Sequence, residues 1–115
     1  MLEELLAKPE SKTLEFKENT HSLQKIVQTV IAFANTAGGT LLIGIKANTK
    51  EVIGLDNILQ DEERIANVVA DSVSPSLLPN LQFHSWRGRD VLIVTVPHSF
   101  APFYLKAKGE TDGVY

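Results

Sequence analysis

The chain of 115 residues is informative first through what it lacks. It has no cysteine, which excludes disulfide bonds, thiolate metal ligands and a cysteine nucleophile, and favours an intracellular, cytoplasmic protein. Its N-terminus carries acids where a secretory signal carries bases. The longest apolar runs, 30–34 and 41–45, are far shorter than the ~20 residues of a membrane-spanning helix, so no membrane partner is expected.

An excess of positive charge is also missing. Lys and Arg number 11 against 14 Asp and Glu, a formal net charge of −3, whereas nucleic-acid-binding domains are usually basic. Any contact with nucleic acid must therefore come from a local patch. The chain also lacks internal repeats and low-complexity segments, and its length fits a single domain over residues 1–115.

Two segments have the periodicity of amphipathic helices. In residues 23–34 apolar side chains recur at three- and four-residue intervals, with Thr20 or Ser22 as the predicted N-cap and two glycines after the end. A second helix is predicted to begin near Asn57 or Asp61 and to stop before Pro75. A short helix over residues 1–6 precedes them.

The remaining apolar segments predict strands. Residues 13–17 alternate between apolar and polar side chains, while 40–45 is apolar on both faces, as in a central strand. Residues 51–55 predict a short partner strand, and 103–106 a last one. Residues 81–86 and 91–96 predict a hairpin closed by the loop 87–90. The predicted fold class is α+β, a mixed sheet with two main helices in the order β-α-β-β-α-β-β-β.

The local patterns give little support for catalysis. The glycine turn at 38–39 joins a helix to a strand, the reverse of a phosphate loop, and neither a nucleophile turn nor a His ligand spacing is present. Glu10 and Glu15 are the early acids suited to a metal or acid–base role, but on one straight strand they lie on opposite faces, ~17 Å apart. They converge only if the chain bends near residues 11–13. No catalytic residue, metal or cofactor is therefore predicted.

Basic side chains favour phosphate contacts in two places. Arg87 and Arg89 belong to the tip of the predicted hairpin, and Lys106 and Lys108 follow the aromatic residues at 103 and 104. Trp86, beside the tip, is interpreted as the edge of the core rather than as an exposed platform for base stacking.

Several stretches together resemble one known family. They are ESKTLEFK at 10–17, AFANTAGGTLLIGI at 32–45, VIGL at 52–55, and PFYL at 102–105 followed by GVY at 113–115. In order and spacing they are similar to the Schlafen AlbA-like family, the divergent AlbA domains of bacterial regulators. The resemblance implies an Alba-like fold and the N-terminal domain of a longer transcriptional regulator. Because the family's last motif continues beyond Val-Tyr, a fragment of such a protein is expected, with further domains after Tyr115.

The family divides by function. Schlafen-type members resemble metal-dependent ribonucleases with three carboxylates, two of which correspond to Glu10 and Glu15. The third, an Asp just after the central strand, is replaced here by the stretch Lys46-Ala47-Asn48. A positive charge at that point is a poor neighbour for a hard divalent cation, so the resemblance favours a non-enzyme.

The other branch is treated as DNA-binding, and it implies sequence-nonspecific contact with nucleic acid, DNA in the first place. The motif positions suited to phosphate are Lys12, Lys17, Asn35 and Thr36. Charge alone adds Arg87, Arg89, Lys106 and Lys108. Two alternatives stay open: a sensing or dimerising module, such as a homodimer without nucleic-acid contact, and a remnant of the metal-dependent ribonuclease.

Overall fold

The computed structural model describes residues 2–100 and 102–115. It confirms the α+β class with a mixed sheet, and the two longest helices are the two that the periodicity predicts. The elements in chain order are α1 Leu2–Leu6, β1 Leu14–Lys17, α2 Leu23–Asn35, β2 Gly39–Ile43, α3 Ile58–Ser72, β3 Val73–Ser74, β4 Asn80–Trp86, β5 Arg89–Val96, β6 Tyr104–Leu105 and α4 Gly109–Asp112. Met1, where the predicted first helix begins, lies outside the described residues.

The main sheet has four strands in the order β1-β2-β5-β4. Strand β1 is parallel to β2, since α2 provides the crossover between them, and β5 is antiparallel to both of its neighbours. Strands β3 and β6 pair separately in a second, two-stranded sheet. The apolar run at 40–45 is thus a central strand, as predicted, and β1 and β4 are the two edges.

Apolar side chains cover both faces of the main sheet. On one face α2 and α3 pack against β2 and β5, and this cluster includes Ile26, Val30, Ile65, Leu41 and Val94. On the other face Leu2 of α1 packs against side chains of β1, β2 and β5, among them Phe16, Leu42 and Ile93. The short helix α1 therefore closes a second core that would otherwise face water.

The helix ends differ in part from the predicted caps. The Asn57 side chain accepts a hydrogen bond from the backbone N of Gln60 and caps α3. Ser22 occupies the N-cap position of α2, but its side chain makes no capping bond. Thr20 is not a cap: its Oγ1 donates to Asp61 Oδ1 at 2.6 Å and ties the start of α2 to the first turns of α3.

The prediction of a strand at residues 51–55 is wrong. These residues form only an isolated bridge, from Val52 to Ile45. Gly54, at φ +84°, turns the chain across the end of β2, so that its N–H bonds to the Gly44 carbonyl while Leu55 N–H bonds to the Asp90 carbonyl of β5.

The hairpin loop is also shorter than predicted. Arg87 and Gly88, at φ 50° and 76°, form a two-residue turn of the kind that matches strand twist, and Arg89 already pairs with Trp86 at the start of β5.

None of the helices within the described residues is long and apolar enough to cross a membrane.

We expect Gly38→Ala to destabilise the domain by roughly 2–4 kcal/mol. Gly38 has φ +77°, and an added Cβ would lie 2.8 Å from the Val96 carbonyl oxygen and 2.9 Å from the His98 nitrogen. Gly88→Ala is the matched control, because Gly88 has nearly the same φ, +76°, with nothing within 4 Å, so about 1 kcal/mol is expected. Thermal unfolding followed by circular dichroism measures both, and equal losses would contradict the steric account.

Candidate nucleic-acid interface

Positive side chains meet where the β4–β5 hairpin contacts the loop after β2. Lys50, Arg87 and Arg89 line a shallow cavity of about 440 Å³ there, together with Trp86. We call these four residues the basic corner. Two cations are also tied to the fold: Arg89 Nη1 donates to the Val52 carbonyl at 2.9 Å, and Lys50 Nζ donates to the Lys8 carbonyl at 2.9 Å.

One further lysine lies near the basic corner. Lys46 belongs to the loop after β2, is exposed, and its carbonyl accepts the backbone N–H of Lys50 at 2.7 Å. Lys8 supplies the carbonyl that Lys50 Nζ contacts, but it lines a cavity at the opposite end of the sheet, with Thr40 and His98. The loop after β2 and the hairpin thus bring four of the chain's 11 basic residues to one end of the sheet, Lys46, Lys50, Arg87 and Arg89.

Trp86 lies between the basic corner and the core. Its ring is half-buried against the cluster that contains Leu2 and Phe16, as the interpretation of a core edge requires. The Arg87 guanidinium carbon lies 4.4 Å from the centre of the ring, a cation–π contact. The contact holds the guanidinium over a fixed surface while its donors face solvent, which lowers the entropy lost when an anion binds.

The electrostatics of the corner favour an anion. One carboxylate, that of Glu51, lines the cavity beside three cations. The ion pairs Lys17–Glu15 and Arg64–Asp61 lie elsewhere in the described part of the chain, on β1 and on α3. A negative ligand at the corner therefore meets an excess of exposed positive charge, although the whole chain carries −3.

The predicted phosphate contacts do not form one surface. Arg87 and Arg89 meet at the basic corner, but Lys12 and Lys17 lie at the β1 edge, three strand spacings or roughly 14 Å from β4. Lys106 and Lys108 lie on the helix-covered side, where the Lys106 N–H bonds to the Ser72 carbonyl at the end of α3. Sequence reasoning missed Lys46 and Lys50 near the corner; the only signal was that these two lysines flank a turn.

Asn35 and Thr36 use their polar atoms within the fold. Asn35 Nδ2 donates to the Phe103 and Tyr115 carbonyls at 3.0 and 3.1 Å, and its Oδ1 accepts from Phe103 N at 2.8 Å. Thr36 Oγ1 donates to the Ala32 carbonyl at 2.8 Å. Asn35 therefore holds the C-terminal segment against α2, and neither residue contributes to the basic corner.

The glycine turn between α2 and β2 is likewise structural. Gly38 N–H donates to the Phe33 carbonyl at 2.7 Å, and Thr40 N–H donates to the Thr13 carbonyl of the β1 segment at 2.8 Å. A Cβ on Gly39 would lie 2.6 Å from the Phe33 ring. These amides are engaged with the protein, which leaves them unavailable to a phosphate.

Glu10 and Glu15 are not arranged for a divalent metal. The chain bends at residues 12–13, and Ser11 forms a bridge with Leu14, so that Glu10 Oε2 accepts from Phe16 N at 3.1 Å. Glu15 Oε2 accepts from Thr29 Oγ1 at 2.8 Å and lies 3.9 Å from Lys17 Nζ. Across residues 2–100 and 102–115, no three His, Asp or Glu side chains gather as a ligand set. These residues do not fit a hard cation.

Comparisons with known proteins agree with the fold. The family model described as Schlafen, AlbA_2 matches residues 10–115. One similar structure is the solution structure of the N-terminal domain of a Nitrosomonas europaea protein that is named as related to the ATP-dependent DNA helicase RecG. Its sequence is 31% identical to this chain, the TM-score is 0.78, and the match covers 99% of this chain and 83% of that one. A crystal structure from Corynebacterium diphtheriae shares the fold at 20% identity and a TM-score of 0.69, over 92% of this chain and 23% of that protein.

We expect Asn35→Ala to cost about 2–3 kcal/mol, because it removes three hydrogen bonds and leaves the Phe103 N–H in a buried position without a partner. Limited proteolysis should then release the segment after residue 103 before the rest of the domain unfolds. Thr36→Ala is the control, since it removes a bond at an exposed helix end and should cost under about 1 kcal/mol. A C-terminal segment that stays protected in Asn35→Ala would refute this role.

Proposed function

This chain belongs to the Schlafen AlbA_2 family, and from that membership we propose that it is a non-catalytic nucleic-acid-binding domain that contacts the phosphate backbone of duplex DNA at the basic corner. The observation that carries the proposal is the gathering of Lys50, Arg87 and Arg89 in one cavity of an otherwise acidic chain. A concentrated patch of one sign on such a background attracts a polyanion to one place and in one orientation.

The mechanism follows from the chemistry of the side chains. Guanidinium and ammonium groups donate to phosphate oxygens, and each neutralised phosphate releases counterions from the DNA. The corner is shallow and its cations come from two chain segments, the loop after β2 and the hairpin, so the contacts suit the regular spacing of phosphates better than the edges of bases. Binding should therefore be steep in salt and nearly blind to sequence.

Two further points support this reading over a nuclease. By the family resemblance, Lys46 lies where the ribonuclease branch has its third carboxylate. One oxygen each of Glu10 and Glu15 accepts a hydrogen bond within the fold, and Lys17 Nζ lies 3.9 Å from Glu15. The similar domain from Nitrosomonas europaea belongs to a protein named after DNA helicases, which makes duplex DNA a reasonable first ligand. On this proposal the domain serves a longer transcriptional regulator by holding it on DNA.

The test is a salt titration of DNA binding with charge-reversal variants. If each of the four basic residues at this end of the sheet (Lys46, Lys50, Arg87 and Arg89) contacts one phosphate, the affinity falls about 150-fold between 50 and 200 mM salt. Arg87→Glu with Lys50→Glu then lowers the affinity for all sequences and roughly halves the salt slope. Anisotropy of labelled duplex DNA measures the affinity. The only tryptophan, Trp86, lies in the corner, so its fluorescence reports whether the ligand binds there.

The matched control is Lys106→Glu with Lys108→Glu, which makes the same change in net charge on the helix-covered side. It should leave the salt slope and the Trp86 response close to those of the wild type. Equal losses in both double variants would mean that only net charge matters, and would refute the basic corner. Binding that ignores salt, or cleavage of structured RNA with Mn²⁺ that Glu15→Ala abolishes, would refute the proposed function.

A further inference from the structure

The two edges of the main sheet are treated differently by the chain. At the β1 edge the preceding segment folds back, and Ser11 N–H donates to the Leu14 carbonyl at 2.9 Å while Glu10 Oε2 accepts the Phe16 N–H at 3.1 Å. The outward Leu14 C=O and Phe16 N–H of β1 thereby have partners. Strand β4 has no comparable cover: within residues 2–100 and 102–115 its ladder partner is β5 alone.

The outward groups of β4 follow from the hairpin geometry. A two-residue turn closes with a hydrogen-bonded pair, here Trp86 and Arg89, and hydrogen-bonded pairs then alternate along the hairpin. The residues at 80, 82, 84 and 86 therefore bond to β5. Leu81, Phe83 and Ser85 direct their N–H and C=O groups away from the sheet, and no backbone bond within the described residues satisfies them.

The composition of β4 is unusual for an open edge. Open edges are normally protected by charged side chains, proline, bulges or short length. Residues 80–86 include no charge and no proline, run regularly for seven residues, and place Phe83 at the centre with 46% of its surface exposed. Leu81, Phe83 and Ser85 lie on the same face as α2 and α3, where Leu81 packs against the core.

We propose that the β4 edge binds the β4 edge of a second copy of this chain. An antiparallel pair centred on Phe83 places Leu81 opposite Ser85 of the second copy and forms one continuous sheet of eight strands. Six hydrogen bonds then satisfy the outward groups of both copies, and the two Phe83 rings cover one another.

Self-pairing fits this edge better than an unrelated extended peptide. The outward residues are symmetric about Phe83, so the same edge supplies every donor and every acceptor. Residues 80–86 include no Asp, Glu, Lys or Arg, so the pairing sets no like charges of β4 against each other. Arg87, just after the strand, lies opposite Pro79 of the second copy. The helices present no obstacle on their face, because they leave Phe83 nearly half exposed.

The absence of cysteine allows the register to be tested without other thiols. An equal mixture of Leu81→Cys and Ser85→Cys should form a disulfide-linked heterodimer on mild oxidation, since Cα atoms of a hydrogen-bonded pair lie ~5.5 Å apart. Each variant alone is the control, because identical positions are then four residues apart along the strand, ~13 Å, beyond disulfide reach. No nucleic acid is present, so the result is independent of the proposed function.

Light scattering of the unlabelled protein tests association directly. The wild type should rise from 12.7 kDa towards twice that mass with concentration, and Phe83→Lys, which sets two ammonium groups against each other, should remain monomeric. Phe100→Lys is the matched control, since Phe100 is an exposed aromatic residue outside the strand, and it should still dimerise. A wild type that stays at 12.7 kDa without cross-linking, or equal cross-linking of the single variants, would overturn the proposal.

Discussion

Strands β2 and β5 are buried on both faces, and most of the remaining structure covers them. Side chains alternate between the faces of a strand, so the apolar runs 41–45 and 91–94 need an apolar layer on each side. Helices α2 and α3 supply one layer, and Leu2 of α1 with the loop residue Val52 supplies part of the other. The loop after β2 crosses the sheet end for this reason, and in doing so it carries Lys50 to the hairpin.

The residues that connect this chain to its family are mostly structural. Asn35 bonds the C-terminal segment, Gly38 permits a turn with positive φ against β5, and Glu10 caps the backbone of β1. Family membership therefore specifies the architecture closely and the chemistry only loosely. The basic corner is built largely from residues outside those motifs, on loops whose side chains can change without disturbing the core.

A sheet of this kind must also resolve its two edges. The chain uses residues 10–11 to cover part of the β1 edge, and the Glu10 carboxylate there accepts the Phe16 amide. It leaves β4 open, and this strand also bears the hairpin whose turn presents Arg87. The edge and the basic corner thus share one element, so a change in the hairpin acts on both surfaces.

The sequence by itself determined the two main helices, the central strand, the hairpin and the α+β class, because the 3.6- and two-residue periods of burial are local properties of the chain. It did not determine the strand at 51–55, where Gly54 and long-range bonds to Gly44 and Asp90 overrode a local preference for extended structure. The eight predicted phosphate contacts separated onto several regions, while Lys46 and Lys50 came to lie with Arg87 and Arg89. Only the tertiary structure decided this grouping, because the exposed charges of distant segments carry no periodic signal of which of them will meet.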